Sequence, residues 1–164
     1  MSALKNKKPV DVLIGLGSNI APEKNIRAAL DILAKKADLI RTSTIWQSPA
    51  VGSSGPDYLN SAALIRTTHN LQEIKSLLIT PVESELGRVR SADKFMDRTI
   101  DLDILVFNGD TIDPELWTQA HIALPASELM PNLKHEKTGI TLHQAAGFLR
   151  RQVSLIQRLD LKAD

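Results

Sequence analysis

The chain has 164 residues, enough for one domain with a substantial apolar core. It has no cysteine, which excludes disulfides, thiolate metal ligands and a cysteine nucleophile. Its 20 Lys+Arg against 19 Asp+Glu leave a net charge of +1, so no global field draws it to nucleic acid or to an anionic membrane, and any anion site must be a local cluster. Met1 to Val10 is polar and lysine-bearing with no signal-type apolar h-region following, and no run approaches the roughly 18 apolar residues of a bilayer span, so a soluble, cytoplasmic protein is expected, with residues 1–164 as a single domain.

Val10 to Leu16 reads as a buried strand ending at Gly17-Ser18-Asn19. Pro22 then stands where the first turn of a helix tolerates it, and Ile26, Leu30 and Leu33 form an apolar stripe along about four turns. A second strand is expected from Leu39 to Trp46. The Ser/Pro/Gly-rich loop from Ser48 to Pro56 leads into a third strand, Asp57 to Arg66. Asn70-x-x-Glu73 is a capping-box start for a helix that closes at Gly87, and Pro81 inside it predicts a kink or break, since an interior proline costs about 3 kcal/mol. A strand from Arg98 to Leu105 follows, then a turn at Asn108-Gly109-Asp110 and short helical pieces to the end. Strand–helix–strand–strand–helix–strand is the order of a ferredoxin-like α+β sandwich, an antiparallel sheet with helices on one face, here with a C-terminal helical extension.

Within Arg98 to Leu105, side-chain alternation puts Asp101 and Asp103 on one strand face and Ile100, Leu102 and Ile104 on the other. Asp is a poor strand residue, so the pair admits two readings: a solvated sheet face, or oxygens converging on a hard divalent cation. Upstream, Arg88, Arg90, Lys94 and Arg98 either bind a polyphosphate or pair with Glu83, Glu85, Asp93 and Asp97. Two other phosphate devices are absent. Gly15-Leu16-Gly17-Ser18-Asn19-Ile20 lacks the third glycine of a dinucleotide fingerprint, and no G-x-x-x-x-G-K-[ST] occurs. An RNA-binding ferredoxin-like module using the basic run is disfavoured by an aromatic content of only 4% with no stacking cluster.

Four motifs in register resemble one family. Gly17-Ser18-Asn19, Ser48-Pro49-x-x-Gly52 with Pro56-Asp57-Tyr58-Leu59-Asn60, Gly87-Arg88-Val89-Arg90, and Arg98-Thr99-x-Asp101-Leu102-Asp103 look like the 6-hydroxymethyl-7,8-dihydropterin pyrophosphokinases of folate biosynthesis, from about Val10 to His121. The resemblance implies transfer of pyrophosphate from ATP to the hydroxymethyl group of a reduced pterin, releasing AMP. It implies that Asp101 and Asp103 hold two Mg²⁺ ions, that Arg88, Arg90, Lys94, Arg98 and His121 handle the ATP phosphates, and that Arg88 and Arg98 stabilise developing charge. Ser48, Pro49, Ala50, Val51, Tyr58, Asn60 and Phe95 would bind the pterin. The implied partners are ATP and the pterin, without nucleic acid or membrane, for a monomer or weak dimer.

The chain departs from that pattern at several points. Lys94 stands at a family arginine position and Phe95 at a tryptophan position, and Met96-Asp97 replaces a small residue and proline. After His121 roughly eight residues are missing, including an arginine and a phenylalanine that forms the second wall of the pterin sandwich, and the chain runs directly into Ile122-Ala123-Leu124-Pro125. A paralogue with another acceptor, or one that binds without turnover, is the alternative these departures imply.

Overall fold

The computed structural model describes residues 7–50, 55–88 and 97–161. Its elements are β1 (Val10–Ser18), α1 (Pro22–Lys36), β2 (Asp38–Thr42), β3 (Ile45–Ser48), β4 (Tyr58–Thr67), α2 (Leu71–Ile74), α3 (Thr80–Glu85), β5 (Asp101–Phe107), β6 (Asp110–Thr111), α4 (Ala120–Leu129), α5 (Leu142–Arg150) and β7 (Ile156–Arg158). The sheet runs β6-β5-β1-β4-β3-β7, with β2 also on β4, and every pairing is antiparallel. The central β5-β1-β4 row with β2 and β3 outside it is the order expected of a ferredoxin-like sandwich.

Local chemistry accounts for the boundaries. In α1, Ile26, Ala29, Leu30 and Leu33 are buried, and Pro22 sits in the first turn. Asn70 and Glu73 form the reciprocal capping box at the start of α2. The break expected at Pro81 takes the form of a wide turn over Lys75–Ile79, in which the Thr80 N–H reaches back five residues to the Lys75 carbonyl. Pro81 then occupies the first turn of α3, where its missing N–H leaves no helical bond unmade. Gly87, at φ 76°, closes the segment in the left-handed region that glycine enters without steric cost.

Two sequence boundaries shift. The strand expected over 39–46 is divided at Ser43, which donates its N–H to the Ala62 carbonyl (2.9 Å) while its hydroxyl accepts the Ala62 N–H (2.8 Å). That side-chain oxygen stands in for a ladder carbonyl, so β2 and β3 lie end to end along β4. The strand expected from Arg98 begins at Asp101. It carries a bulge, because Leu13 pairs with Val106 and Ile14 with Ile104, leaving Leu105 as the extra residue.

The bulge places neighbours in different layers. Leu102 and Ile104 join Val12, Ile14, Leu16 and Ile65 against Ile26, Leu33, Ile74 and Leu78 from α1, α2 and the wide turn. Leu105 and Val106 join Leu13, Trp46 and Ala62 against Ala123, Leu124 and Leu142 from α4 and α5. The helices expected on one face are α1 to α3, and the C-terminal extension covers the other face and adds β7 to the sheet edge. No helix among the described residues is long and apolar enough to cross a membrane.

Leu33→Ala, which empties a fully buried site, is expected to cost about 2–5 kcal/mol in urea unfolding with an unchanged m-value. Phe148→Ala, at a side chain 61% exposed, is expected to stay within about 0.5 kcal/mol.

Candidate active site

A cavity of about 540 Å³ opens where β5, β1 and β4 end together beside the start of α4. The register fixes its floor. Asp101 lies opposite Gly17, which lies opposite Asn60, and Asp103 lies opposite Gly15, which lies opposite Ala62. Residues paired across antiparallel strands share a face, so two rows run across the sheet with a glycine in the middle of each. A Cβ at Gly17 would stand 3.5 Å from Asn60 Oδ1, so glycine keeps that part of the floor flat. At Gly15 a Cβ would press on Leu105 Cδ1 at 3.1 Å, a packing constraint instead.

Asp101 is held from both sides. Arg88 Nη1 donates to its Oδ1 and Arg98 Nη1 to its Oδ2, each at 2.7 Å. Arg88 Nη1 also bonds Glu83 Oε2, and the Leu102 N–H donates to the same Glu83 oxygen at 3.3 Å. Glu83, only 3% exposed, therefore ties α3 to β5 through an arginine and a backbone amide. Burial opposes the charge on Arg88, but Asp101 and Glu83 outweigh it and hold the guanidinium protonated. Arg88 Nε is buried beside the cavity without a hydrogen-bond partner among the described residues.

Asp103 is the poised carboxyl. Solvent reaches its side chain, yet the cavity walls crowd it, and this partial desolvation, reinforced by Asp101, Asp113 and Glu83 and opposed by Arg88, pushes it up to about 7. Two adjacent carboxyls on one face, one costly to ionise, form an oxygen donor set whose electrostatic cost a divalent cation relieves. That fits the implied Mg²⁺. His121 also lines the cavity, and burial lowers its pKa so that the imidazole is neutral at neutral pH.

Across the floor, Asn60 Nδ2 donates to the Trp46 carbonyl (3.2 Å) and to Ser48 Oγ (2.8 Å), which fixes the amide with Oδ1 above Gly17. Tyr58, Ser48, Pro49 and Ala50 complete this side. Burial raises the Tyr58 phenol above its ordinary value, with Arg98 opposing.

The structure thus brings together ten of the residues singled out in the sequence: Ser48, Pro49, Ala50, Tyr58, Asn60, Arg88, Arg98, Asp101, Asp103 and His121 all line one cavity. Val51, Arg90, Lys94 and Phe95 lie outside the described residues. The other wall is formed among the described residues by Glu115, Gln119, His121 and Ile122. Neither tryptophan lines the cavity. Trp46 is buried beneath α4, and Trp117 packs edge-on against His135 and donates to Thr111.

Sequence reasoning did not assign a site role to Asn19 or Glu83. Asn19, 3% exposed, exchanges hydrogen bonds with the backbone of Arg98 and donates its amide to Asp97 Oδ1, so it sets the approach of Arg98 to Asp101. Its signal was the Gly17-Ser18-Asn19 motif. In the sequence, Glu83 stands out as one of several acids able to pair with the basic run and as a residue whose place Pro81 could shift.

An antiparallel α+β sandwich of the ferredoxin-like class gathers two carboxyl and two guanidinium groups around one cavity, a set whose chemistry suits a polyphosphate and a divalent cation. The comparisons make the family specific. The family profile described as 7,8-dihydro-6-hydroxymethylpterin-pyrophosphokinase matches residues 13–131. Relatives named 2-amino-4-hydroxy-6-hydroxymethyldihydropteridine pyrophosphokinase include one from Synechocystis sp., 32% identical over 80% of this chain and 72% of its own length, and one from Bacillus subtilis, 32% identical over 80% and 84%. Among solved structures, the wild-type HPPK-DHPS of Plasmodium falciparum superimposes with a TM-score of 0.70 at 12% identity, over 90% of this chain. This chain spans 42% of that longer one, and the likeness bears on the fold alone. The chain belongs to the 7,8-dihydro-6-hydroxymethylpterin-pyrophosphokinase family, and so to the ATP-dependent pyrophosphokinases.

The Asp103 shift has a consequence for stability. Its folded pKa, about 7, lies above the ordinary 3.8, so the folded state holds the extra proton between those values. The stability this group contributes to the metal-free protein is fully present below about 3.8 and is lost as pH rises through about 7. Asp103→Asn, melted in a chelator, is expected to raise the midpoint at about pH 8 and to leave it nearly unchanged at about pH 4. An equal effect at both would contradict the shift.

Proposed function

We propose that this chain transfers the β,γ-pyrophosphoryl group of ATP to the hydroxymethyl oxygen of 6-hydroxymethyl-7,8-dihydropterin, giving AMP and the pterin diphosphate for folate biosynthesis. The single observation that carries the reading is the row Asp101–Gly17–Asn60, which sets a carboxylate–guanidinium cluster and an amide acceptor at opposite ends of one flat floor. Two strand spacings separate the ends by ~10 Å, a distance suited to a bicyclic ring with a one-carbon arm.

At one end, Asn60 Oδ1 accepts from the amino edge of the pterin while Tyr58 covers a ring face. At the other, Arg88 and Arg98 exchange their bonds to Asp101 for phosphate oxygens, and Arg88 Nε, without a partner among the described residues, adds a donor. Attack at the β-phosphorus makes a P–O bond to the hydroxymethyl oxygen, whose proton passes to solvent, and breaks the bond to the α-phosphate oxygen, which leaves with AMP. The protein aligns the two oxygens and neutralises charge, and it forms no covalent bond itself. Asp101 and Asp103 would hold Mg²⁺, two ions by resemblance, which supplies Lewis-acid stabilisation of phosphate charge when bound. His121, neutral, stands as a hydrogen-bonding partner for phosphate on the α4 side.

A second reading rests on the non-aromatic wall of Gln119 and Ile122. The site would then take a reduced pterin bearing a further substituent, and AMP release with that acceptor alone would favour it.

The test is AMP release with ATP, Mg²⁺ and dihydropterin. The parent is expected to turn over, and Asp101→Ala and Asp103→Ala are each expected to lose at least about a hundredfold in kcat, as removal of a charge-stabilising group does. Undiminished turnover in both variants would remove the metal role.

A further inference from the structure

Outside the cavity, the molecule holds a second polar cluster that the reaction does not use. The Glu128 carboxylate, half-buried on α4, accepts from the Thr44 N–H (3.1 Å), the Thr44 hydroxyl (2.8 Å) and Trp46 Nε1 (2.8 Å). Gln157 of β7 donates to the same Thr44 hydroxyl at 3.0 Å, and Arg41 Nη2 donates to the Glu128 backbone carbonyl. Arg150 stacks over the Trp46 ring at 5.1 Å. Glu128 forms no ion pair among the described residues and does not line the cavity. A carboxylate with that many donors on one strand segment is a strong local anchor, because charge-assisted hydrogen bonds are about twice as strong as neutral ones.

What the anchor joins gives it meaning. The first turn of α4 carries His121 and Ile122 into one cavity wall, and Glu128 lies two turns further along the same helix. Trp46, gripped by Glu128 at its indole, offers its backbone carbonyl to Asn60 Nδ2, and that amide also holds Ser48 Oγ. Ser48, Pro49 and Ala50 continue from β3 as the opposite wall. One carboxylate therefore links the helix that bears one wall to the strand that bears the other, through a chain ending on the Asn60 amide.

From this geometry we propose that Glu128 is a positioning residue: it sets the separation of the α4 wall from the Ser48–Asn60 wall and so governs affinity for the acceptor, while leaving the Asp101 end of the site untouched. The inference rests on the proposed function for the identity of the acceptor. The linkage itself stands on the hydrogen bonds alone.

The experiment compares Glu128→Ala, Glu128→Gln and Trp46→Phe with the parent, the last removing the indole donor together with part of a buried ring. Glu128→Ala and Trp46→Phe are expected to raise KM and Kd for the dihydropterin by about tenfold, with kcat within about twofold, as loss of uniform binding requires; KM for ATP, which His121 on the α4 wall also serves, is expected to change less than KM for the pterin. Glu128→Gln, which keeps an acceptor oxygen, is expected to fall between them and the parent. In ¹⁵N spectra without ligand, the Asn60 side-chain amide and the Ala50 backbone amide should shift in the variants and those of Asp101 and Asp103 should not. Pterin affinity within twofold of the parent in both Glu128→Ala and Trp46→Phe would overturn the proposal, as would a loss confined to kcat. A parent that does not turn over the dihydropterin would instead count against the proposed function, and the ¹⁵N shifts alone would then decide the linkage: unmoved Asn60 and Ala50 amides would refute it.

Discussion

The balance of charge around Asp101 is the constraint on which the rest of the site depends. Glu83 is too buried to stand alone as an anion, and Arg88 satisfies it while also bonding Asp101, whose second oxygen is taken by Arg98. Breaking such a cluster by removing one member costs far more than the cluster contributes net, because the remaining charge stays desolvated. The arrangement thus fixes where α3 lies beneath β5 and holds two guanidinium groups at the cavity. A polyanion entering there would find two cations already assembled beside Asp101.

The wide turn ahead of Pro81 belongs to the same constraint. An unbroken helix would drive the proline ring against the carbonyl four residues earlier. The turn removes that conflict and leaves Glu83 in the one place where it reaches both Arg88 and the Leu102 amide. Gly17 plays the matching part on the sheet, since a side chain there would stand in the row between Asp101 and Asn60. The opposite helical layer does more than bury Leu13, Ala62 and Leu105. Its N-terminal turn supplies a cavity wall, so packing and recognition are carried by the same helix.

Much of this was legible in the sequence because it depends on local period. The alternation at Ile100 to Ile104 located the carboxylates, and the stripe Ile26, Leu30, Leu33 located α1. Four motifs in register carried the family. What stayed hidden was long-range. The bulge at Leu105 arises from register with β1, and no residue in β5 announces it. The split at Ser43 depends on a hydroxyl reaching Ala62, 19 positions along the chain. β7 is too short to carry a period of its own and exists because β3 offers an edge. The partners of Glu83 and Glu128 could not be read either, since an acid in a sequence does not say whether it will meet a cation, an amide or water.

The proposed reaction moves two phosphoryl units as one. The most direct measurement is ³¹P NMR of the complete reaction mixture with ATP, Mg²⁺ and 6-hydroxymethyl-7,8-dihydropterin. AMP and a pterin diphosphate ester appearing in equal amounts, with no ADP, is the predicted result. ADP with a monophosphate ester, or pyrophosphate released without any ester, would contradict it.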